Sequence, residues 1–128
     1  MNSPSAQEHI LRIVRALRVL LVPATPGEYD LHALVACALT KADIPFCHEA
    51  KLAPGCRVDF VSGGIAIEVK KGKPVKGALI KQVNRYLSID GIDGIVVVSA
   101  KSTNIPSSIL GKPVYCLSLD KLWGVALP

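Results

Sequence analysis

Asp59, Glu68 and Lys70 are the residues of this chain whose types and spacing could do chemistry together. They fall in the stretch from Arg57 to Lys70, which reads Arg-Val-Asp-Phe-Val-Ser-Gly-Gly-Ile-Ala-Ile-Glu-Val-Lys. In an extended segment successive side chains point to opposite faces. Ile65, Ile67 and Val69 therefore share one face, and Ala66, Glu68 and Lys70 the other. Upstream, Val58 and Phe60 share a face and leave Arg57, Asp59 and Val61 opposite. A two-residue hairpin turn at Gly63-Gly64 sets Phe60 across from Ile67 and Val58 across from Val69. The same register sets Asp59 across from Glu68. Two carboxylates so placed repel by up to about 1 kcal/mol on an open sheet. A hard cation between them turns that repulsion into binding, and Mg²⁺ (with Mn²⁺ as a substitute) takes oxygen ligands, often from only one or two carboxylates. Lys70 projects from the face of Glu68. Metal, carboxylates and one ammonium suit hydrolysis of a phosphodiester, in which the lysine positions or deprotonates the nucleophile and offsets charge in the transition state. Glu-x-Lys on a strand also occurs as a plain solvated face.

Charge placement points the same way. The chain carries a formal net charge of +5. Between Val69 and Ile89 there is no acidic residue, while Lys70, Lys71, Lys73, Lys76, Lys81 and Arg85 are all basic. An electropositive patch beside a carboxylate site is expected where a metal centre meets a polyanion, with nucleic acid the first partner and an anionic membrane surface the second. For Lys71, Lys73 and Lys76 an ordinary solvated loop is the alternative.

These residues need a frame, and the 128 residues are enough for one domain, residues 1–128, with a buried core. Ala6 to Val22 has helical spacing at Ile10, Val14, Leu17 and Leu21, and its arginines, Arg12, Arg15 and Arg18, drift around the helix. Pro23 to Gly27 breaks the chain. A second helix opens at Glu28 or Tyr29 and runs to about Ala42, with Leu31, Leu34, Val35, Ala38 and Leu39 apolar. Strands are expected over Phe46–Leu52, Arg57–Val61 and Ile65–Lys71. Ala78–Ile89 is helical, with Leu79, Val83, Tyr86 and Leu87 apolar. Gly94–Ala100 reads as a strand buried on both faces, and Val114–Leu119 as a last strand. Asp120 caps a short final helix that ends near Leu127, and Trp123 packs it on the sheet. This order predicts an α/β sandwich with a central mixed β-sheet flanked by helices.

Asp59, then Glu68-Val69-Lys70 after a short hairpin, then a helix bearing Gln82, resembles the PD-(D/E)XK nuclease superfamily. That superfamily includes restriction endonucleases, RecB-type exonucleases, archaeal Holliday junction resolvases and virus-type replication-repair nucleases. The similarity spans roughly Glu28 to Ala100, although Val58 stands where the family name puts proline. The resemblance implies a restriction-endonuclease-like fold, with Asp59 and Glu68 as metal ligands and Lys70 as the catalytic lysine. Gln82, with Arg85 and Tyr86 in Gln-Val-Asn-Arg-Tyr, resembles the helix-borne glutamine motif of RecB-like and resolvase-like members, where the glutamine orients the site or the substrate. It also implies a glutamate on the helix before the sheet. Glu28 is placed to be that metal ligand, or simply to complement the positive end of the helix dipole.

The expected activity is Mg²⁺-dependent endonucleolytic cleavage of DNA, structure-selective for junctions, flaps or ends, as in repair, recombination or phage replication. The nucleic acid would lie on Lys71, Lys73, Lys76, Lys81 and Arg85. A homodimer, with Ala6 to Val22 as the interface, would let two sites address two strands. The alternatives are a catalytically silent nucleic-acid-binding module of the same fold and an RNA-processing nuclease. Among the remaining residues, Glu49 is a weaker ligand candidate, expected instead in an exposed salt bridge, and His48 is expected in the core or at its boundary, while His9 and His32 have no partner at metal-ligand spacing. The cysteines, Cys37, Cys47, Cys56 and Cys116, show no zinc-knuckle pair and read as reduced thiols used as small core residues. No secretory leader and no membrane span are expected, so the site of action is the cytoplasm.

Overall fold

A computed structural model of the chain describes residues 4–21, 30–72, 74–101 and 103–119. Its elements, in chain order, are α1 (Pro4–Leu21), α2 (Leu31–Lys41), β1 (Cys47–Ala53), β2 (Cys56–Ser62), β3 (Ile65–Lys70), α3 (Lys76–Leu87), β4 (Gly94–Ser99), β5 (Ser108–Ile109) and β6 (Lys112–Ser118). The strands form one mixed sheet of order β1-β2-β3-β4-β6-β5. β1, β2 and β3 are antiparallel neighbours, β4 joins β3 in parallel, and β6 joins β4 in parallel. β5, a two-residue strand that sequence patterning did not suggest, pairs antiparallel with β6.

Two apolar layers hold the helices to the sheet. On one face Ile10, Ile13, Val14 and Leu17 of α1 and Val35, Ala38 and Leu39 of α2 pack with Phe60, Ile65, Ile67, Val96 and Val98. On the other, Leu79, Val83, Tyr86 and Leu87 of α3 pack with Val58, Ala66, Ile95 and Val97. β4 contributes to both layers, which is why its residues Ile95 to Val98 are fully buried and uniformly apolar. The parallel pairing of β3 with β4 requires a crossover, and α3 supplies it. That crossover sets α3 over the face of β3 that carries Glu68.

α1 uses its apolar stripe inside the chain, leaving Leu11 and Val19 as its exposed large apolar side chains among the described residues. Two of its arginines also serve the fold. Arg18 donates to the Tyr115 hydroxyl at 3.0 Å and Arg12 to the Asp43 carbonyl at 3.4 Å. α2 begins later than the sequence suggests. Asp30 is its N-cap, with extended backbone and a side chain that accepts from the His32 N–H at 2.9 Å. A side-chain cap of this kind satisfies an N–H that the helix leaves unpaired. Glu28 precedes that cap and lies outside the described residues, as do Lys73, Asp120 and Trp123. The cysteines depart from the core reading in part: Cys56 is buried and Cys116 half-buried, but Cys37 and Cys47 are exposed, and all four are free thiols. No described helix is long and apolar enough to cross a membrane.

Candidate active site

The turn at Gly63-Gly64 forms as the sequence suggests. Gly63 takes a φ of +58°, open to glycine without cost, and Phe60 stands opposite Ile67. The ladder between β2 and β3 then runs only from Ser62–Ile65 to Phe60–Ile67. Beyond Phe60 the Asp59 side chain takes over: the Val69 N–H donates to Asp59 Oδ2 at 2.7 Å. The Asp59 N–H in turn points at Glu68 Oε1, at 3.4 Å. Asp59 and Glu68 are thus neighbours across the two strands, joined by side-chain to backbone contacts.

The expectation that Val58 and Phe60 share a face does not hold. Phe60 belongs to the layer under α1 and α2, whereas Val58 belongs to the layer under α3. The reason lies next door in β1, where Glu49 adopts a φ of +53° between the registered pairs His48–Phe60 and Ala50–Val58. A left-handed residue inside a strand breaks the period of two, so both strands change phase at Glu49 and Asp59. Glu49 makes no ion pair among the described residues, contrary to its expected salt bridge. His48 is exposed rather than at the edge of the core, and its ring stacks on Phe60 with centroids 4.5 Å apart.

Glu68 is 5 % exposed and forms the centre of a polar network. Its Oε2 receives Lys70 Nζ at 3.1 Å and Gln82 Nε2 at 3.0 Å. Gln82 Nε2 also donates to the Tyr86 hydroxyl at 3.0 Å, and that hydroxyl donates to the Arg57 carbonyl at 2.9 Å. Gln82 and Tyr86 stand four residues apart on α3, so they share a helix face and reach Glu68 together. No buried polar side-chain atom is left without a partner among the described residues.

The electrostatics follow from this enclosure. Burial pushes the Glu68 carboxyl up, and the neighbouring Asp59 charge pushes it further, while Lys70 pulls it back. Burial, then the Glu68 charge, pushes the Tyr86 phenol up to about 12. A buried carboxylate whose charge is opposed by its surroundings, in contact with a lysine and beside a second carboxylate, is the kind of perturbed group found at functional sites.

No protein-family model matches the chain, and no curated protein and no solved structure matches it significantly.

Four sequence-predicted residues come together: Asp59, Glu68, Lys70 and Gln82. Glu28 and Lys73 lie outside the described residues. Lys71, Lys76, Lys81 and Arg85 are exposed around the site, and Arg85 is fastened by a 2.7 Å bond to the Gly55 carbonyl. His32 is the residue that sequence spacing missed. Its Nε2 lies 4.0 Å from Asp59 Oδ2, because the cap at Asp30 starts α2 so that His32 faces β2. Proximity between a helix terminus and a strand 27 residues away leaves no local signature in the chain.

The donor set suits a hard divalent cation. Asp59 and Glu68 offer carboxylate oxygens, and their mutual repulsion is a cost that a cation would remove. Among the described residues no cluster of three or more His, Cys, Asp or Glu side chains has metal-holding geometry. The two carboxylates would therefore hold a cation that retains several waters, as Mg²⁺ does.

Proposed function

We propose that this protein is a Mg²⁺-dependent nuclease that hydrolyses phosphodiester bonds of DNA at Asp59, Glu68 and Lys70, on a restriction-endonuclease-like sandwich. The observation that carries the reading is the convergence on Glu68 of Lys70, from its own strand, and of Gln82, from α3. Such a group is expensive to bury. It is best explained by chemistry that needs a carboxylate and an ammonium in a fixed relation.

In this reading Asp59 and Glu68 would hold the metal, which would supply Lewis-acid activation of water and offset the charge of the phosphate. Glu68 is oriented by Gln82, and Gln82 by Tyr86, so the carboxylate stands ready without reorganisation. Val69 performs the same service for Asp59 through its backbone N–H. Lys70, three-tenths exposed, can turn from Glu68 toward substrate, where its ammonium offsets charge building on the phosphate oxygens. The exposed Lys71, Lys76, Lys81 and Arg85 attract the polyanion. Preference for junctions, flaps or ends is part of the proposal.

The deciding experiment is cleavage of labelled single-stranded, duplex, flapped and four-way-junction DNA with Mg²⁺, Mn²⁺ or EDTA, comparing wild type with Lys70→Ala. Metal-dependent cutting that the substitution abolishes supports the proposal. Absence of cutting on every substrate with either metal sinks it.

A catalytically silent nucleic-acid-binding module is the second reading. It is favoured by the completeness of the Glu68 network, in which both carboxylate oxygens already have protein donors. Normal DNA affinity with neither metal binding nor cleavage would select it.

A further inference from the structure

Lys51 of β1 and Arg57 of β2 are directly opposite each other in the sheet register. Both are exposed. Directly opposed residues of an antiparallel pair project from the same side with Cβ atoms roughly 5 Å apart, and like charges in that position destabilise the pair. Neither has a carboxylate within ion-pairing distance among the described residues, although the exposed Glu49 lies two positions from Lys51 and Asp59 two from Arg57. An uncompensated cation pair on a strand pairing is a standing cost that a bound anion would remove.

The hairpin that carries this pair is tied to α3 by two hydrogen bonds. Arg85 of α3 donates to the Gly55 carbonyl at the β1–β2 turn at 2.7 Å, and Tyr86 donates to the Arg57 carbonyl at 2.9 Å. α3 thus braces both the tip of the hairpin and the strand backbone behind the cations. Between the turn and α3 lies a cleft of about 460 Å³ lined by Arg57, Lys81 and Arg85, but not by Lys51. The hairpin also leads into the site, because Arg57 precedes Asp59 by two residues, at most roughly 7 Å even across the change of phase at Asp59. That is about two steps along one strand of duplex DNA, whose phosphates recur at roughly 3.4 Å of helix axis.

We propose that the β1–β2 hairpin is a phosphate clamp: Lys51 and Arg57 grip the phosphodiester backbone of duplex DNA about two nucleotides from the bond at Asp59 and Glu68. The clamp rests on the nuclease reading for its direction toward the site, but its binding role is measurable without cleavage. It assigns two residues outside the lysine-rich stretch after β3, and it places DNA across the β1 edge of the sheet.

The test is binding of a fluorescent DNA duplex in EDTA over a range of salt concentrations, using wild type, Lys51→Gln/Arg57→Gln and the control Arg15→Gln/Lys41→Gln. The control removes two exposed positive charges from α1 and α2. The clamp variant is expected to lose about tenfold in affinity or more at low salt and to show a salt dependence less steep by about 2 units, with the control close to wild type. Removing two opposed cations leaves the melting temperature at or above that of wild type, which separates lost contacts from lost folding. Loss of binding in the clamp variant without any metal-dependent cutting by wild type would keep the clamp and remove the nuclease. Equal loss in clamp variant and control would overturn the clamp, as would unchanged binding in the clamp variant. Preference of wild type for anionic phospholipid vesicles over duplex would overturn it as well.

Discussion

Val69 donates its backbone N–H to the side chain of Asp59, 2.7 Å from Oδ2, where an unbroken antiparallel ladder would send it to the Val58 carbonyl. One carboxylate of the candidate site is therefore part of the sheet's hydrogen bonding. Its orientation is set by backbone rather than by rotamer preference alone, and its structural and chemical duties can be separated by substitution.

Asp59→Asn keeps an acceptor for Val69, whereas Asp59→Ala leaves that N–H without one. The alanine variant is expected to lose about 1 kcal/mol of stability and the asparagine variant less. Both lose the charge that a metal would need. Chemical denaturation without metal and Mn²⁺ titration by calorimetry check the two halves. Equal stability of the two variants would refute the ladder role.

Glu68 lies above the ordinary carboxylate range through burial and the Asp59 charge. A raised folded value means that, through the window above the ordinary value, the folded chain keeps a proton that the unfolded chain has released. Stability then falls as pH rises through that window. Glu68→Gln is expected to melt higher than wild type at pH 7 in EDTA, with the difference vanishing below about pH 4, where both forms are uncharged. A lower melting temperature for the variant at pH 7 would show that the ion pair with Lys70 outweighs the burial cost.

Tyr86 is held neutral to about 12 by burial and the Glu68 charge. Ultraviolet titration of phenolate is expected to show one tyrosine ionising about two pH units later than free tyrosine, and Tyr86→Phe removes it. Because the unfolded phenol ionises first, stability declines as pH rises from about 10 toward 12. A normal titration for every tyrosine would mean that the hydroxyl is open to water.

Lys70→Ala is expected to leave folding intact, because the side chain is partly exposed, and to lower cleavage by a factor of about 100 or more. It also removes the contact that pulls Glu68 down, so Glu68 moves further up. Single-turnover cleavage checks the first effect, and carboxyl NMR titration the second.

Lys112 secures the frame rather than the site. Its Nζ donates to the carbonyls of Leu87, at the end of α3, at 2.7 Å and Ile92, just before β4, at 2.5 Å. Lys112→Met keeps the aliphatic stem and leaves both carbonyls without that donor, at an expected cost of about 2 kcal/mol in thermal or chemical unfolding. No loss would show that water replaces the ammonium.

Local pattern carried much of this protein. The apolar positions of α2 and α3, the fully buried β4 and the hairpin at Gly63-Gly64 follow from periodicity and turn chemistry, since each depends on residues within a few positions of one another. Glu68 and Lys70 could be placed on one face by alternation alone.

What local pattern could not supply are the relations set by long-range packing. The left-handed Glu49 rephases β1 and β2, which moved Val58 from its expected face. The cap at Asp30 starts α2 so that His32 reaches Asp59. The crossover through α3 turns Gln82 and Tyr86 onto Glu68, and only then is that carboxylate buried, its charge opposed and its donors fixed. Residue types and spacing determined which groups could act. Burial and hydrogen-bond partners are properties of the assembled layers, and the tertiary structure alone decided them.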